Sequence, residues 1–259
     1  AHPCHGCAER EDHARWAERH HRLRTETDQL TRRIEGRTNT IARVFDRVCD
    51  LLTERGYLVP AASSDARELV VSEDGLRLRR IYTESDLLVA ECLRAGAWSG
   101  LDAAGLAACV SAVVYESRRD DGGVQPRLPA GAVRGALSET VRIWSELTDA
   151  EGEHRLEPTR EVDLGLAWAV HRWASGRDLD VVLGDGQAGD LAAGDFVRWC
   201  KQIIDLLGQI HAAAGDSGDE ALRKVAGEAV SAVRRGVVAY AVAADAGDDA
   251  ASGQFRPVP

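Results

Sequence analysis

The chain has 259 residues, enough for one large domain or two to three small ones with a substantial core. A hydrophobic content of 44% excludes wholesale disorder, and no run approaches the roughly 18–20 consecutive apolar residues of a membrane span. With 32 basic against 42 acidic side chains, the net charge of −10 argues against coating of nucleic acid by bulk electrostatics, while leaving room for a basic groove inside a larger assembly. Residues 1–9 carry no secretory leader pattern, so the expectation is a cytoplasmic protein with no membrane partner.

Residues 9–36 read as one long charged helix. Trp16, Leu23 and Leu30 recur every seven residues, with Ile34 as a fourth contact and arginine and glutamate between them. So thin a stripe cannot bury itself and calls for a partner helix, as in a coiled-coil seam. Residues 40–55 form a second predicted helix on Ile41, Val44, Phe45, Val48, Leu51 and Leu52, closed by Gly56. Extended runs are predicted at 57–59 and 69–71, and Glu73-Asp74-Gly75 reads as a turn before a further run at 76–82. A helix followed by a short β-hairpin is half of a winged-helix unit.

Beyond Thr83 the pattern is helical almost throughout. Thr83-Glu84-Ser85-Asp86 resembles a capping box for a helix through Leu93 that ends at Gly96. The next helix begins near Asp102, and residues 118–129 are a loop by every breaker signal. Val133, Leu137, Val141, Trp144 and Leu147 stripe one helix, residues 162–174 form another, and Leu222 to Tyr240 carry the stripe of the last. Residues 245–259, rich in Asp, Gly, Ala and Pro, are expected to be disordered.

Residues 195–214 are the most informative helix. At 100° per residue, Phe196, Val197, Cys200, Ile203, Ile204, Leu207 and Ile210 cover one broad face. Arg198, Lys201, Gln202, Asp205 and Gln209 form the remaining strip. One reading of that strip is a solvated face. The other is a polar track along a nucleic-acid strand, where arginine and amide groups bond phosphates and bases.

Most catalytic chemistries fail on the sequence. Gly184-Asp185-Gly186-Gln187-Ala188-Gly189 matches the dinucleotide pattern, but its surroundings are helical, position 209 is Gln where an acidic residue is needed, and the following helix starts only at Asp195, so it reads as a loop. Neither Lys201 nor Lys224, the two lysines, follows a glycine, which excludes a Walker loop within the chain. No HExxH motif and no cysteine–histidine nucleophile pair is apparent, so no catalytic residue is assigned. Cys49, Cys92, Cys109 and Cys200 sit in apolar helical surroundings and suggest no disulfide framework. Cys4-His5-Gly6-Cys7, with His2, is the one local group that could ligate a metal, but a structural zinc site needs a second such knuckle and none exists. No metal site is therefore expected.

Several segments together resemble the DSHCT region, the C-terminal part of superkiller-type DExH-box RNA helicases, and most of all bacterial HelY-like members. They are His2-Pro3-Cys4-His5, residues 51–58 (LLTERGYL), residues 84–93 (ESDLLVAECL) and residues 111–116 (SAVVYE). Trp173-Ala174-Ser175-Gly176, Gly194-Asp195-Phe196-Val197-Arg198 with Asp205-Leu206-Leu207, and residues 234–240 (RRGVVAY) complete the set. They occur in family order over nearly the whole chain; the glycine-rich 184–189 stretch departs from the eukaryotic pattern and resembles a loop insertion.

The resemblance implies a mainly α fold in four parts. Residues 1–38 would be the returning strand of a helical stalk and 39–82 the second half of a winged-helix domain with a short β-hairpin. Residues 83–244 would be the C-terminal helical bundle, and 245–259 a tail. It further implies an accessory region of an ATP-dependent 3′–5′ RNA or DNA helicase. ATP and Mg would be held by upstream RecA-like motor domains of the same polypeptide, with no cofactor in this chain. Residues 195–214 would be a ratchet-like helix along the translocating single strand. Arg198, Lys201 and Gln202 would touch the strand, with Asp205 and Glu91 as further candidates. Two rival readings remain: a stand-alone helical protein that dimerises through the Trp16–Leu23–Leu30 seam, and a metal-dependent regulator that uses the Cys4/Cys7 knuckle.

Overall fold

A computed structural model of the chain describes residues 6–61, 68–117, 126–184 and 191–252, with the side chains of all these but 31–39 and 245–252. Among the described residues the fold is mainly α with one two-stranded hairpin, as the sequence implies. Contacts divide the chain into two units, residues 1–50 and 51–259.

The first unit is most of one helix. α1 spans Arg10–Glu54 without interruption, where the sequence reading expects two helices parted near Gly36. No proline interrupts this stretch, and a single helical glycine costs only about 1 kcal/mol, which surrounding arginine and glutamate offset. Trp16, Leu23, Leu30, Ile41 and Phe45 are all exposed along it. The Ile34 side chain lies outside the described set.

The second unit opens with the last turn of α1. Gly56 adopts φ +77° and ends the helix; Tyr57 N donates to Leu52 O at 2.8 Å and Gly56 N to Thr53 O at 3.0 Å. This double bond satisfies carbonyls that a helix end leaves open. β1 (Leu58–Pro60) then pairs antiparallel with β2 (Leu69–Val71), Leu58 opposite Val71 and Pro60 opposite Leu69.

The hairpin therefore joins the two runs that precede Glu73, and the expected extended run at 76–82 is replaced by a helix. α2 (Glu73–Leu78) is nucleated by Ser72, whose Oγ accepts from Gly75 N at 3.1 Å, with Glu73 and Asp74 favourable in the first turn. Glu73-Asp74-Gly75 thus serves as the first turn of a helix. A Cβ on residue 75 would stand 2.3 Å from Tyr57 O, so this position requires glycine for close approach.

Eight further α-helices follow among the described residues: α3 (Asp86–Arg94), α4 (Ala103–Val114), α5 (Ala132–Glu153), α6 (Ala167–Ala174), α7 (Leu179–Gly184), α8 (Ala193–Ser217), α9 (Glu220–Val233) and α10 (Gly236–Ser252). α4 is the centre. Every residue from Ala104 to Val113 is buried, and α5, α6, α8 and α9 surround it. Its alanine-rich sequence makes this possible, since small side chains let neighbouring helices approach from all sides. Its N-cap, Asp102, accepts from Gly105 N at 2.8 Å. No helix among the described residues is long and apolar enough to cross a membrane.

Two other expectations change. Val181-Val182-Leu183 is helical in α7; the glycine run after it, 185–190, lies outside the described residues, as do 118–125 of the expected loop. The stripe from Leu222 to Tyr240 is two helices, broken where Arg234 leaves helical geometry (φ −80°, ψ 70°) and Gly236 takes φ +49°. The reason is tertiary. Arg235 stacks 3.6 Å from the Trp173 ring centroid and donates to Trp173 O from Nη2 at 2.6 Å and Nε at 3.0 Å, while Trp173 Nε1 donates to Val233 O at 2.9 Å. The chain turns there to wrap the tryptophan. α10 extends to Ser252, into the stretch expected to be disordered from 245; residues 253–259 lie outside the described set.

Candidate nucleic-acid interface

α8 has two sharply different faces. Phe196, Trp199, Cys200, Ile203, Ile204, Leu206, Leu207 and Ile210 are buried, packed on α4 and α9. Burial raises the Cys200 thiol to about 12, so it is an inert part of that core. The opposite strip borders an open groove of about 940 Å³, into which Lys201, Gln202, Asp205 and Gln209 project.

The far wall comes from Tyr82 and Glu84 of the α2–α3 connection with Asp86 at the start of α3 on one side, and from Glu116 just past α4 with Arg160 between α5 and α6 on the other. Two side chains hold these walls in place. Gln209 Oε1 accepts from Tyr82 N at 2.6 Å and its Nε2 donates to Asp205 Oδ2 at 2.8 Å, so one amide fixes both the connection and the carboxylate. Arg160 donates to Tyr115 O and Val113 O at 2.7 Å and to Val114 O at 3.1 Å, closing the C-terminal carbonyls of α4. Burial raises the Asp86 carboxyl above its ordinary value, partly offset by its bond to the Leu87 amide.

Of the residues singled out from sequence, Lys201, Gln202 and Asp205 come together in the groove. Arg198 sits one turn earlier, outside its lining; it is exposed, 4.5 Å above the Trp199 ring and 3.5 Å from Asp195 Oδ1. Glu91 stands apart from all of them. It is 6% exposed, and its carboxylate takes Nη2 of Arg94 at 2.6 and 2.7 Å, with Arg55 Nη1 at 3.8 Å. Arg94 in turn lies 4.7 Å over the Tyr57 ring, and burial together with Glu91 pushes that phenol above its usual range. Glu91, a strand-contact candidate from sequence, is thus placed in a cluster with two guanidinium groups, away from the α8 groove.

Sequence reasoning left Tyr82, Arg160 and Glu116 without a role. Arg79-Arg80, separated from Tyr82 by Ile81, is a local signal that could have pointed there. No group of three or more His, Cys, Asp or Glu side chains among the described residues is placed to hold a metal. Of the Cys4–Cys7 knuckle, His2, Cys4 and His5 lie outside the described set; Cys7 Sγ is 3.6 Å from His13 Nδ1.

The sequence profile of the DSHCT (NUC185) domain matches residues 68–241, which include both walls of the groove and all of α8. The chain belongs to the DSHCT family. It is 45% identical over 245 residues, 92% of its length, to the probable helicase HelY of Mycobacterium tuberculosis, in both strain H37Rv and strain CDC 1551. It is also 46% identical over 230 residues, 86% of its length, to the probable helicase HelY of Mycobacterium leprae. It is thus a HelY-like DSHCT chain. It spans about a quarter of the length of these curated relatives, 26% and 24% respectively.

Within this DSHCT chain, the segments that carried the resemblance acquire physical roles. Trp173 and Arg235 form the lock between α6 and the α9–α10 turn. Asp195 and Arg198 pair at the start of α8. These two segments are fold-forming, while the α8 strip faces outward.

Proposed function

We propose that the chain is the accessory region of an ATP-dependent 3′–5′ helicase acting on RNA or DNA, and that α8 contacts the translocating single strand. The observation that supports this most is the polar strip of α8 bordering an open groove while the rest of the helix is anchored in the core. A strand contact must be rigid enough to hold position and sequence-tolerant enough to pass any base. Lys201 and Arg198 supply charge for phosphates, and Gln202 supplies an amide that bonds either phosphate or base edge. The Arg198–Asp195 pair is exposed, so releasing it to a phosphate costs little.

On this reading ATP and Mg belong to RecA-like motor domains elsewhere in the same polypeptide. Residues 1–38 belong to a stalk, 39–82 to a winged-helix domain, and 83–244 to the bundle beneath the motor. Strand affinity of the whole polypeptide, measured against salt concentration, tests the contact. Arg198→Ala should lower the log–log slope by about one unit. Unwinding that survives both Arg198→Ala and Gln202→Ala unchanged contradicts the ratchet role.

A second reading has one observation in its favour, the exposed Trp16–Leu23–Leu30 stripe. It makes the chain a dimeric interaction protein held by that seam. A dimer in solution that dissociates on Leu23→Glu supports it, and a monomer removes it.

A further inference from the structure

Tyr82 has the most exposed ring on the α2–α3 connection, at 77%, yet its backbone is held firmly. Its amide is bonded to Gln209, the preceding Ile81 is 3% exposed, and Ser85 beyond it is 2% exposed. A large aromatic surface displayed on a fixed backbone loses little entropy when something stacks on it.

Tyr82 borders three adjoining depressions along α8, and their charges differ in sign. The α8 groove carries four carboxylates, Glu84, Asp86, Glu116 and Asp205, against Arg160 and Lys201. The two neighbouring linings are cationic on balance: Arg77, Arg79 and Arg80 against Glu73 and Asp216 in one, and Arg80, Arg234 and the shared Lys201 against the shared Asp205 in the other. Arg80 pairs with Asp216 at 2.6 Å and Arg77 with Asp74 at 3.0 Å. Arg79 and Arg234 are exposed and form no ion pair among the described residues.

Tyr82 therefore stands on a boundary. A nucleic-acid strand has the same polarity across its width: anionic phosphates on one edge, and bases whose exocyclic amino groups donate hydrogen bonds on the other. Set against these linings, the phosphates fall toward Arg79 and Arg234 and the base edges toward Glu84 and Gln202. The plane of a base then falls at the ring. Resting on the strand-contact reading above, we propose that Tyr82 is a stacking platform for one base of the single strand, with Arg79 and Arg234 receiving the adjacent phosphates.

The test uses the whole polypeptide and two short single-stranded oligonucleotides of equal length, one with bases and one abasic. Tyr82→Ala should weaken binding of the base-bearing strand about tenfold, the low to middle range for one stacked base, and leave the abasic strand unchanged. Tyr82→Phe should bind both like the parent protein. Arg79→Ala with Arg234→Ala should weaken both strands and flatten the salt dependence. Equal loss on both oligonucleotides with Tyr82→Ala, or loss with Tyr82→Phe, overturns the stacking role. Failure of Tyr82→Ala to weaken the base-bearing strand while Lys201→Ala and Gln202→Ala do so also overturns it, and leaves the α8 contact standing. Indifference of both strands to the α8 and Tyr82 variants alike overturns the strand-contact reading itself.

Discussion

The backbone amide of Tyr82 donates across 2.6 Å to Oε1 of Gln209, so a side chain of α8 sets the position of the opposite wall of its own groove. Removing it should affect binding more than stability. Gln209→Ala should lower strand affinity several-fold and cost no more than about 1 kcal/mol of stability, since the freed amide can be hydrated. Binding titrations and thermal melts on the same variant separate the two effects.

Arg235 and Trp173 hold the α9–α10 turn against α6. Loss of a stacked guanidinium and its bonds to a buried carbonyl should destabilise Arg235→Ala by about 2–3 kcal/mol. Arg235→Lys should recover only a fraction of that, because an ammonium cannot reproduce the planar fork. Chemical denaturation midpoints of the three proteins give the comparison.

Glu91 offers a sharper division between fold and function. Glu91→Gln leaves Arg94 with a partial hydrogen bond and only Asp74, 3.9 Å away, as countercharge, so stability should fall by about 1–2 kcal/mol. Strand affinity below the melting transition should stay within about twofold of the parent, because the carboxylate faces the Arg94–Arg55 cluster. A large loss of affinity without loss of stability would return Glu91 to the strand.

Burial raises the Cys92, Cys109 and Cys200 thiols from an ordinary 9.0 to about 12. The folded state therefore holds protons that the unfolded state releases. The stability these groups contribute is complete below pH 9 and is lost as pH rises from about 9 toward 12. Urea midpoints should fall over that range, less steeply for Cys200→Ala. In the native protein at neutral pH all three should resist alkylation, as followed by mass spectrometry.

What could be read in the sequence follows physical lines. α5 and α8 were legible because a one-sided apolar stripe survives wherever a helix packs on a core. Gly56 was legible as a helix end because a positive φ there needs glycine. Gly36 was misleading because the same residue inside a helix costs only about 1 kcal/mol. Glu73-Asp74-Gly75 carries the composition of a hairpin turn, and only the Ser72 cap and the closeness of Tyr57 O make it helical. The break at Arg234 is invisible in a stripe that runs through it, since Trp173, some sixty residues earlier, imposes it. The same holds for the site. Lys201, Gln202 and Asp205 share a helix face and could be grouped by periodicity, whereas Tyr82 and Arg160 join them only through tertiary bonds.

The central claim is that a single strand lies along α8 between its polar strip and the Tyr82 wall. Photocrosslinking of the whole polypeptide to a thiouridine-substituted single strand, with the modified peptides mapped by mass spectrometry, tests it most directly. The account predicts adducts concentrated in residues 79–82 and 198–209, competed away by unmodified strand. Adducts confined to other surfaces, such as the exposed Arg142–Glu146 face of α5, would contradict it.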